Sequence, residues 1–395
     1  MRRLYKLNME HIIIIGGGGT GAALAHDLTL RGFKVSLFER GEFLSGTTGR
    51  HHGLLHSGAR YAVHDPVAAR ECIEENKILR RIAPQALEQN DGLFVAVNES
   101  DLDYRRQFLD SCRSCGIPVT ELTAGQARVF EPALTPELKL AVQIPDATMD
   151  AWRLPLHFLA TAKANGARFH RFAEVVEFHK SNAMVTGVRI FDHQTHGEYD
   201  VAGDLFINAA GAWAGRLCAL AGIKLPLQPG PGVMVAVDGR LTNMVINRLN
   251  QAGEADIIIP QRGLSVLGTT VWLADNPDTI EYPPEHVTRI RQQCSEMVPA
   301  VKEACIQSVW CAPRPLIVAE KDQDPLRISR TFDCFDHEEK DGVKGLISLI
   351  GGKATTLRAM AEKTADLICQ KTGRDISCRT RDYKLLNYRM FYKRN

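Results

Sequence analysis

Gly16-Gly17-Gly18-Gly19-Thr20-Gly21 is the first stretch of this sequence whose residue types and spacing suggest chemistry. It contains G-x-G-x-x-G through Gly16, Gly18 and Gly21, directly after the β-branched run Ile12 to Ile15. In such a loop Gly16 permits a tight turn, Gly18 lets backbone approach a pyrophosphate, and Gly21 lets a helix pack closely on the strand. The positive end of that helix then faces the phosphates. Glu39 stands 23 residues after Gly16, closing a second strand-like run from Lys34. A carboxylate there can accept hydrogen bonds from a ribose. Strand, glycine loop, helix and terminal acid together predict dinucleotide binding.

A second segment, Ser45 to Tyr61, reads SGTTGRHHGLLHSGARY. So dense a run of Gly, Ser, Thr, His and Arg cannot form a core, and is predicted to wrap backbone and hydroxyl groups around a polar ligand. His51 and His52 are adjacent, but no carboxylate or cysteine sits at metal-ligand spacing, so no metal is expected. No second G-x-G-x-x-G follows, so the paired sites of a flavin-plus-NAD(P)H reductase are missing. One dinucleotide with a large extra domain predicts FAD, with the substrate as electron donor; the flavin is expected to be held noncovalently, with His51 and His52 leaving a covalent link open. NAD alone is the weaker alternative, because the segments at 204–215 and 345–360 would then lack a role.

The elements that must position these residues are partly legible. Thr20 to Leu30 reads as a helix with small residues on one face, and Pro66 to Leu87 as a longer one with Ala68, Cys72, Ile78, Leu79 and Ile82 at helical spacing. Val185 to Phe191 and Asp204 to Asn208 read as strands, the second leading into Ala209-Ala210-Gly211. Between Gly232 and Leu273 extended runs are broken by Gly and Pro, which predicts an antiparallel sheet. Gly345 to Ile350 is another buried strand, followed by Gly351-Gly352 and a helix from Thr356 to about Gln370. The expected fold is therefore α/β: a discontinuous Rossmann-like FAD-binding domain (10–80, 150–224 and 321–378) with an antiparallel-sheet substrate domain (81–149 and 225–320).

Composition excludes several other classes. With 48 Lys+Arg against 46 Asp+Glu the formal charge is +2, too little for a nucleic-acid partner. Apolar runs are only a handful of residues long, so no membrane span is expected. Ten cysteines in 395 residues do not resemble a disulfide scaffold, and the lone C-x-x-C pair, Cys112 and Cys115, reads as part of a polar helix. No apolar stretch precedes His11, so a reducing cytoplasm is expected. One asymmetry stands out: Arg379 to Asn395 holds six basic residues, one acid and several aromatics. Such a tail suits an acidic membrane surface or a partner subunit, or is a frayed end.

Several motifs agree in order with one family. They are the Gly16–Gly21 loop, Thr48-Gly49-Arg50-His51-His52-Gly53-Leu54-Leu55-His56-Ser57-Gly58-Ala59-Arg60-Tyr61-Ala62, and Ala69-Arg70-Glu71-Cys72-Ile73. Further matches are Asn208-Ala209-Ala210-Gly211, Val245-Ile246-Asn247-Arg248, Gly268-Thr269-Thr270, Arg314-Pro315-Leu316, Ile328-Ser329-Arg330 and Gly351-Gly352-Lys353. From about residue 11 to 378 the chain resembles the FAD-dependent glycerol-3-phosphate dehydrogenases, most closely the large catalytic subunit of the anaerobic enzyme, in the D-amino-acid-oxidase-like flavoprotein superfamily. The resemblance implies oxidation of sn-glycerol 3-phosphate to dihydroxyacetone phosphate, with electrons passed to a partner subunit or quinone. It implies His56 as base, Arg60, Tyr61, Thr270, Arg314, Arg330 and Lys353 around the substrate, and catalytic roles for Arg314 and Lys353. Around FAD it adds Arg40, Thr47, Thr48, Gly53, Leu55, Val175, Ala210, Gly211, Gly352 and Lys353 to Gly16, Gly18, Gly21 and Glu39.

The chain departs from the family pattern at Pro231-Gly232, at Ala312-Pro313 and at Leu357, all on the expected substrate side. A 2-hydroxy acid or amino acid would use the same arginines, and a catalytically silent FAD-binding subunit is the reading from a different class. The paired C-x-C and C-x-x-x-x-C clusters of the family's cysteine-rich relay do not occur. Electrons are therefore expected to leave through a separate subunit or quinone, with the protein cytoplasmic or peripheral at the inner face of the membrane.

Overall fold

The computed structural model describes residues 9–251, 253–318, 328–329 and 331–393. The run Ile12 to Ile15 explains the first layer. Ile12 and Ile14 pack into one core and Ile13 and Ile15 into another, so the strand His11–Ile15 is buried on both faces. An uninterrupted apolar run is what a central parallel strand requires. It lies in a six-stranded sheet ordered Phe332–Asp336, Leu346–Gly351, Leu205–Asn208, His11–Ile15, Lys34–Glu39, Arg168–Arg171. Only the pairing of Phe332–Asp336 with Leu346–Gly351 is antiparallel.

The helix Gly19–Leu30 is buried along nearly its whole length, between the helices Arg153–Ala164 and Leu357–Thr372. Its alanines at 22, 23 and 25 let these neighbours approach closely. The helix expected over 66–87 ends at Ile82 instead, because the residue before Pro84 cannot stay helical. Ala83 turns out of the helix at φ −136° and a short 3-10 turn, Pro84–Ala86, follows.

The second layer is an eight-stranded sheet ordered Ile306–Ile317, Leu227–Asp238, Leu264–Gly268, Ile257–Gln261, Val245–Arg248, Gly92–Ala96, Leu140–Ile144, Thr120–Thr123. Its strands alternate: Val233, Val235 and Val237 face a core closed by Ile290, Cys294 and Met297 of the helix Pro284–Met297. The antiparallel pattern expected for 232–273 holds inside that block, but Val245–Arg248 pairs with Gly92–Ala96 in parallel. A small sheet, Leu54–Leu55, Ala147–Met149 and Leu87–Glu88, bridges the two layers. Cys112 lies at the end of the polar helix Glu99–Ser114, and Cys115 caps it; both thiols are free and buried.

The basic, aromatic tail is folded onto the body rather than frayed. Leu385 enters the first core and its N–H donates to the Ile82 carbonyl at 2.9 Å. The Phe391 ring lies 5.8 Å from those of both Phe43 and Phe169. Lys163 Nζ donates to the carbonyls of Phe391 at 2.8 Å and Lys393 at 2.9 Å. Among the described residues no helix is long and apolar enough to cross a membrane.

Arg358 ties the tail to the rest. Wholly buried, it donates to Glu75 through Nε (2.8 Å) and Nη2 (2.5 Å), to Thr380 Oγ1 (3.0 Å), and pairs with Glu362 (2.7 Å). Breaking a buried pair strands the surviving charge, at a cost of about 3–5 kcal/mol. Arg358→Leu is expected to lower stability in urea denaturation by roughly that amount, while Arg358→Leu with Glu75→Leu recovers most of the loss.

Candidate active site

A cavity of about 900 Å³ opens beyond the carboxyl ends of the parallel strands, lined by Ile15, Glu39, Ala209 and Gly351 among others. In open α/β sheets this is where ligands bind, at the point where the chain reverses its direction across the sheet. Here the chain steps from His11–Ile15 to Lys34–Glu39 on one side and later returns to Leu205–Asn208 on the other. The volume lies near the upper end of small-molecule sites, about 300–1,000 Å³.

The glycine loop sits in that reversal. Gly16 has φ +114°, and a Cβ there would meet the Ala209 carbonyl oxygen at 2.5 Å. A Cβ on Gly21 would collide with the Gly16 carbonyl, so the helix can start against the strand only with glycine at that place. Gly18, Gly19 and Thr20 face the cavity at the helix N-terminus. Glu39 does more than wait for a ribose: Oε2 accepts from the Gly17 N–H at 2.7 Å and Oε1 from the Gly41 N–H at 2.9 Å. A carboxylate has about four acceptor sites, so capacity for ligand hydroxyls is left over. Thr48 Oγ1 accepts from the Gly19 N–H at 2.9 Å, and the Thr47 hydroxyl donates to the Pro313 carbonyl at 2.5 Å. The segment 45–61 thus clasps both the glycine loop and the eight-stranded sheet.

Arg40, Thr47, Thr48, Val175, Ala210, Gly211 and Gly352 all line the cavity. Gly21, Gly53 and Leu55 stand behind the lining, with Leu55 paired to Ala147 in the bridging sheet. A glycine cradle at a helix N-terminus and a carboxylate with acceptor capacity to spare, on one cavity, are the donor and acceptor set that FAD needs. Arg40 is engaged in a way the sequence did not foretell. It lies 4.9 Å over the Trp213 ring and donates to Asp278 Oδ1 at 3.0 Å. Asp278 also accepts from Trp213 Nε1 at 2.7 Å and from Arg216, so a loop leaving the eight-stranded sheet is pinned across this end. These donors outweigh burial and hold the Asp278 carboxyl below its usual range.

At the other end stand His56, Arg60, Tyr61, Thr270, Arg314 and Lys353. The His56 N–H donates to Thr355 Oγ1 at 3.0 Å, bringing the first loop against the start of the last helical segment. Its ring centroid is 5.4 Å from that of Tyr61, over which Lys353 Nζ stands at 5.1 Å. Burial first, then the charges of Lys353 and Arg60, pull the His56 imidazole down to about 3. It is therefore neutral at physiological pH and able to accept a proton. Arg314 is held by the carbonyls of Gly230 (3.2 Å) and Thr270 (3.3 Å) and by Thr269 Oγ1 (2.9 Å). A Cβ on Gly232 would come within 2.5 Å of this guanidinium, which explains glycine beside the unusual Pro231. Arg60 pairs with the buried Asp256 and donates to the Gly253 carbonyl at 2.8 Å. Arg330 lies outside the described residues. Of the three departures, Leu357 lines the cavity next to Lys353, and Pro313 stands in it indirectly through its carbonyl's bond with Thr47.

Sequence reasoning missed Asp278, Trp213, Arg216 and Asp256. Asp278 sits in a polar turn without periodicity, and no local signal links it to arginines more than sixty residues away.

Residues 11–367 match the family described as FAD dependent oxidoreductase. The chain is 41% identical to a subunit of the anaerobic glycerol-3-phosphate dehydrogenase of Haloferax volcanii, over 95% of this chain and 66% of that protein. It is 38% identical to the corresponding subunit of the Escherichia coli (strain K12) enzyme, over 95% of this chain and 69% of that one. It thus spans about two thirds of the length of these relatives. Among solved structures, a Bacillus halodurans glycerol-3-phosphate dehydrogenase complexed with FAD superposes with a TM-score of 0.75 at 26% identity, covering 96% of this chain and 68% of that one. A Bacillus cereus glycine oxidase superposes with a TM-score of 0.74 at 25% identity, covering 93% and 98%. With its glycine cradle, its two-sheet cavity and these relatives, the chain belongs to the FAD dependent oxidoreductases, in the family of these anaerobic glycerol-3-phosphate dehydrogenase subunits.

Proposed function

We propose that this protein oxidises sn-glycerol 3-phosphate to dihydroxyacetone phosphate and passes the electrons to a partner subunit or a quinone. The observation that carries the reading is one cavity with a glycine cradle at one end and His56, Arg60, Arg314 and Lys353 gathered at the other. Bound FAD supplies the acceptor for the hydride that leaves the carbinol carbon. Gly16, Gly18, Glu39, Arg40, Thr47, Thr48, Val175, Ala210, Gly211 and Gly352 hold it from the cavity wall, with Gly21, Gly53 and Leu55 supporting from behind. Arg314, fixed by three oxygens, presents its guanidinium to phosphate oxygens, and Arg60, Lys353, Tyr61 and Thr270 complete the anion site. Arg330, in the same family motif, joins this set in the proposal. His56 takes the hydroxyl proton on its neutral imidazole. An arriving phosphate dianion offsets the cations that depress it, so His56 becomes a stronger base as the substrate seats.

In this reading residues 10–80, 150–224 and 321–378 form the FAD-binding domain, and 81–149 and 225–320 the substrate domain. The protein is cytoplasmic, with the tail as a peripheral contact at the inner face of the membrane. Supporting that contact, Met390 and Tyr392 stand exposed beside Lys384 and Arg389, while Leu385 anchors the segment.

A 2-hydroxy acid or amino acid is the second reading, favoured by one observation: Asp256 already offsets the charge of Arg60, which suits a monoanionic carboxylate. Anaerobic mixing separates the two. Glycerol 3-phosphate is expected to bleach the flavin absorbance, whereas bleaching only by 2-hydroxy or amino acids would sink the first reading. Arg314→Ala is expected to lower kcat/KM for glycerol 3-phosphate by about 100-fold, in line with roughly 2–5 kcal/mol for truncating a buried charged contact, with FAD content unchanged. Asp278→Asn should speed FAD release about tenfold in a fluorescence-recovery assay, since hydrogen bonds to charged groups are worth about 1.5–3 kcal/mol.

A further inference from the structure

Beneath the loop that carries His56 and Arg60 lies a polar cluster, none of whose members lines the cavity. Asp146, 3% exposed, accepts from the Ser57 N–H at 2.6 Å and faces Asn247 Nδ2 at 3.4 Å. The Asn76 amide donates to the carbonyls of His56 at 3.2 Å and Pro145 at 2.9 Å. Arg80 closes the cluster, donating to the Asp146 carbonyl at 2.8 Å, to that of Pro145 at 3.0 Å and to Asn76 Oδ1 at 2.8 Å. Ser57, Asn76 and Asn247 are buried as well. Sequence pattern explains the geometry: Ala147 pairs with Leu55, so Asp146 reaches two residues further along the loop, to the peptide between His56 and Ser57. This N–H and C=O belong to the peptide that follows the His56 α-carbon, so their partners fix the backbone from which the imidazole projects.

We propose that Asp146 is a positioning residue for the reaction, its carboxylate setting the orientation of His56 and, four residues on, of Arg60. The inference rests on the function proposed above. A charge-assisted bond to the Ser57 N–H is about twice as strong as a neutral one, so ionised Asp146 holds the loop more tightly than its protonated form. The charged and titratable groups facing it are Arg80 and Cys72 on the helix Pro66–Ile82 and Cys112 on the helix Glu99–Ser114. Burial holds both thiols up at about 12, so of these groups only Asp146 changes charge near neutrality. Burial, partly offset by Ser57, Arg80 and Asn247, pushes its carboxyl up to about 6. The sign follows: below about pH 6 Asp146 is neutral and the loop looser, and above it the carboxylate is present and His56 better placed.

The test compares wild-type holoenzyme with Asp146→Asn, which keeps the shape and an acceptor oxygen but carries no charge. The ratio of their kcat values for glycerol 3-phosphate is expected to rise from near 1 at about pH 5 to about tenfold at about pH 8, a misplacement effect of modest size. The second ionisation of the substrate phosphate, near pH 6, is common to both enzymes and cancels in the ratio. The deficit falls on kcat rather than KM, with FAD content unchanged. A ratio flat across this range overturns the proposal. Hydrogen exchange supplies a readout that needs no substrate: Asp146→Asn should speed exchange in the peptide spanning 55–60, and unchanged exchange there also overturns it. Should the wild-type flavin not respond to glycerol 3-phosphate, the substrate reading fails alone, and exchange at 55–60 still decides the role of Asp146.

Discussion

The hydrogen bond from the His56 N–H to Thr355 Oγ1 joins residues 299 positions apart and ties the two segments that carry His56 and Lys353. It draws the Gly/His/Arg-rich loop after the second strand onto the turn after Leu346–Gly351, and so sets His56 beside Lys353 and Tyr61. Both partners are buried. An unmade bond here would cost the desolvation of both groups, about 1–3 kcal/mol each. The same closure carries Leu357 and Met360 into the wall of the cavity, where the glycine loop ends.

Charge is handled differently at the two ends of the cavity. Toward the glycine loop, Asp278 gathers Arg40, Trp213 and Arg216, and offsets one of the two arginine charges. Toward His56, Arg314 donates to two backbone carbonyls and a hydroxyl, which fix the geometry of its guanidinium. Burial is the main cause of the depressed His56 imidazole, and Lys353 and Arg60 add to it.

The sequence made the nucleotide half of the fold easy to read, because local rules govern it. Ile12 to Ile15, the glycines and Glu39 fall within thirty residues, and each has a role that backbone geometry alone dictates. The end of the helix at Ile82 was missed although Pro84 announces it, because apolar spacing continued through Leu87. Strand pairs such as Val245–Arg248 with Gly92–Ala96 join distant segments, and nothing in either run encodes a parallel partner. The site divides along the same line. His56, Arg314 and Lys353 stand in motifs with recognisable spacing, whereas Asp146, Asp256 and Asp278 act through tertiary contacts and lie in unremarkable turns. The family resemblance pointed to the residues that touch ligands, and only the fold reveals those that hold them still.

The order of strands in the first sheet also has a temporal meaning. Leu346–Gly351 occupies an interior position, next to Leu205–Asn208, though it leaves the ribosome after the other strands of that sheet. Synthesis proceeds at about 5–20 residues per second, so the His56 loop waits about 15–60 seconds for Thr355 to emerge. From the emergence of Leu205–Asn208 until that of Leu346–Gly351, about 140 residues later, this strand has a bare edge and the glycine cradle lacks one wall. The glycine cradle therefore gains its last wall only when that strand has joined the sheet.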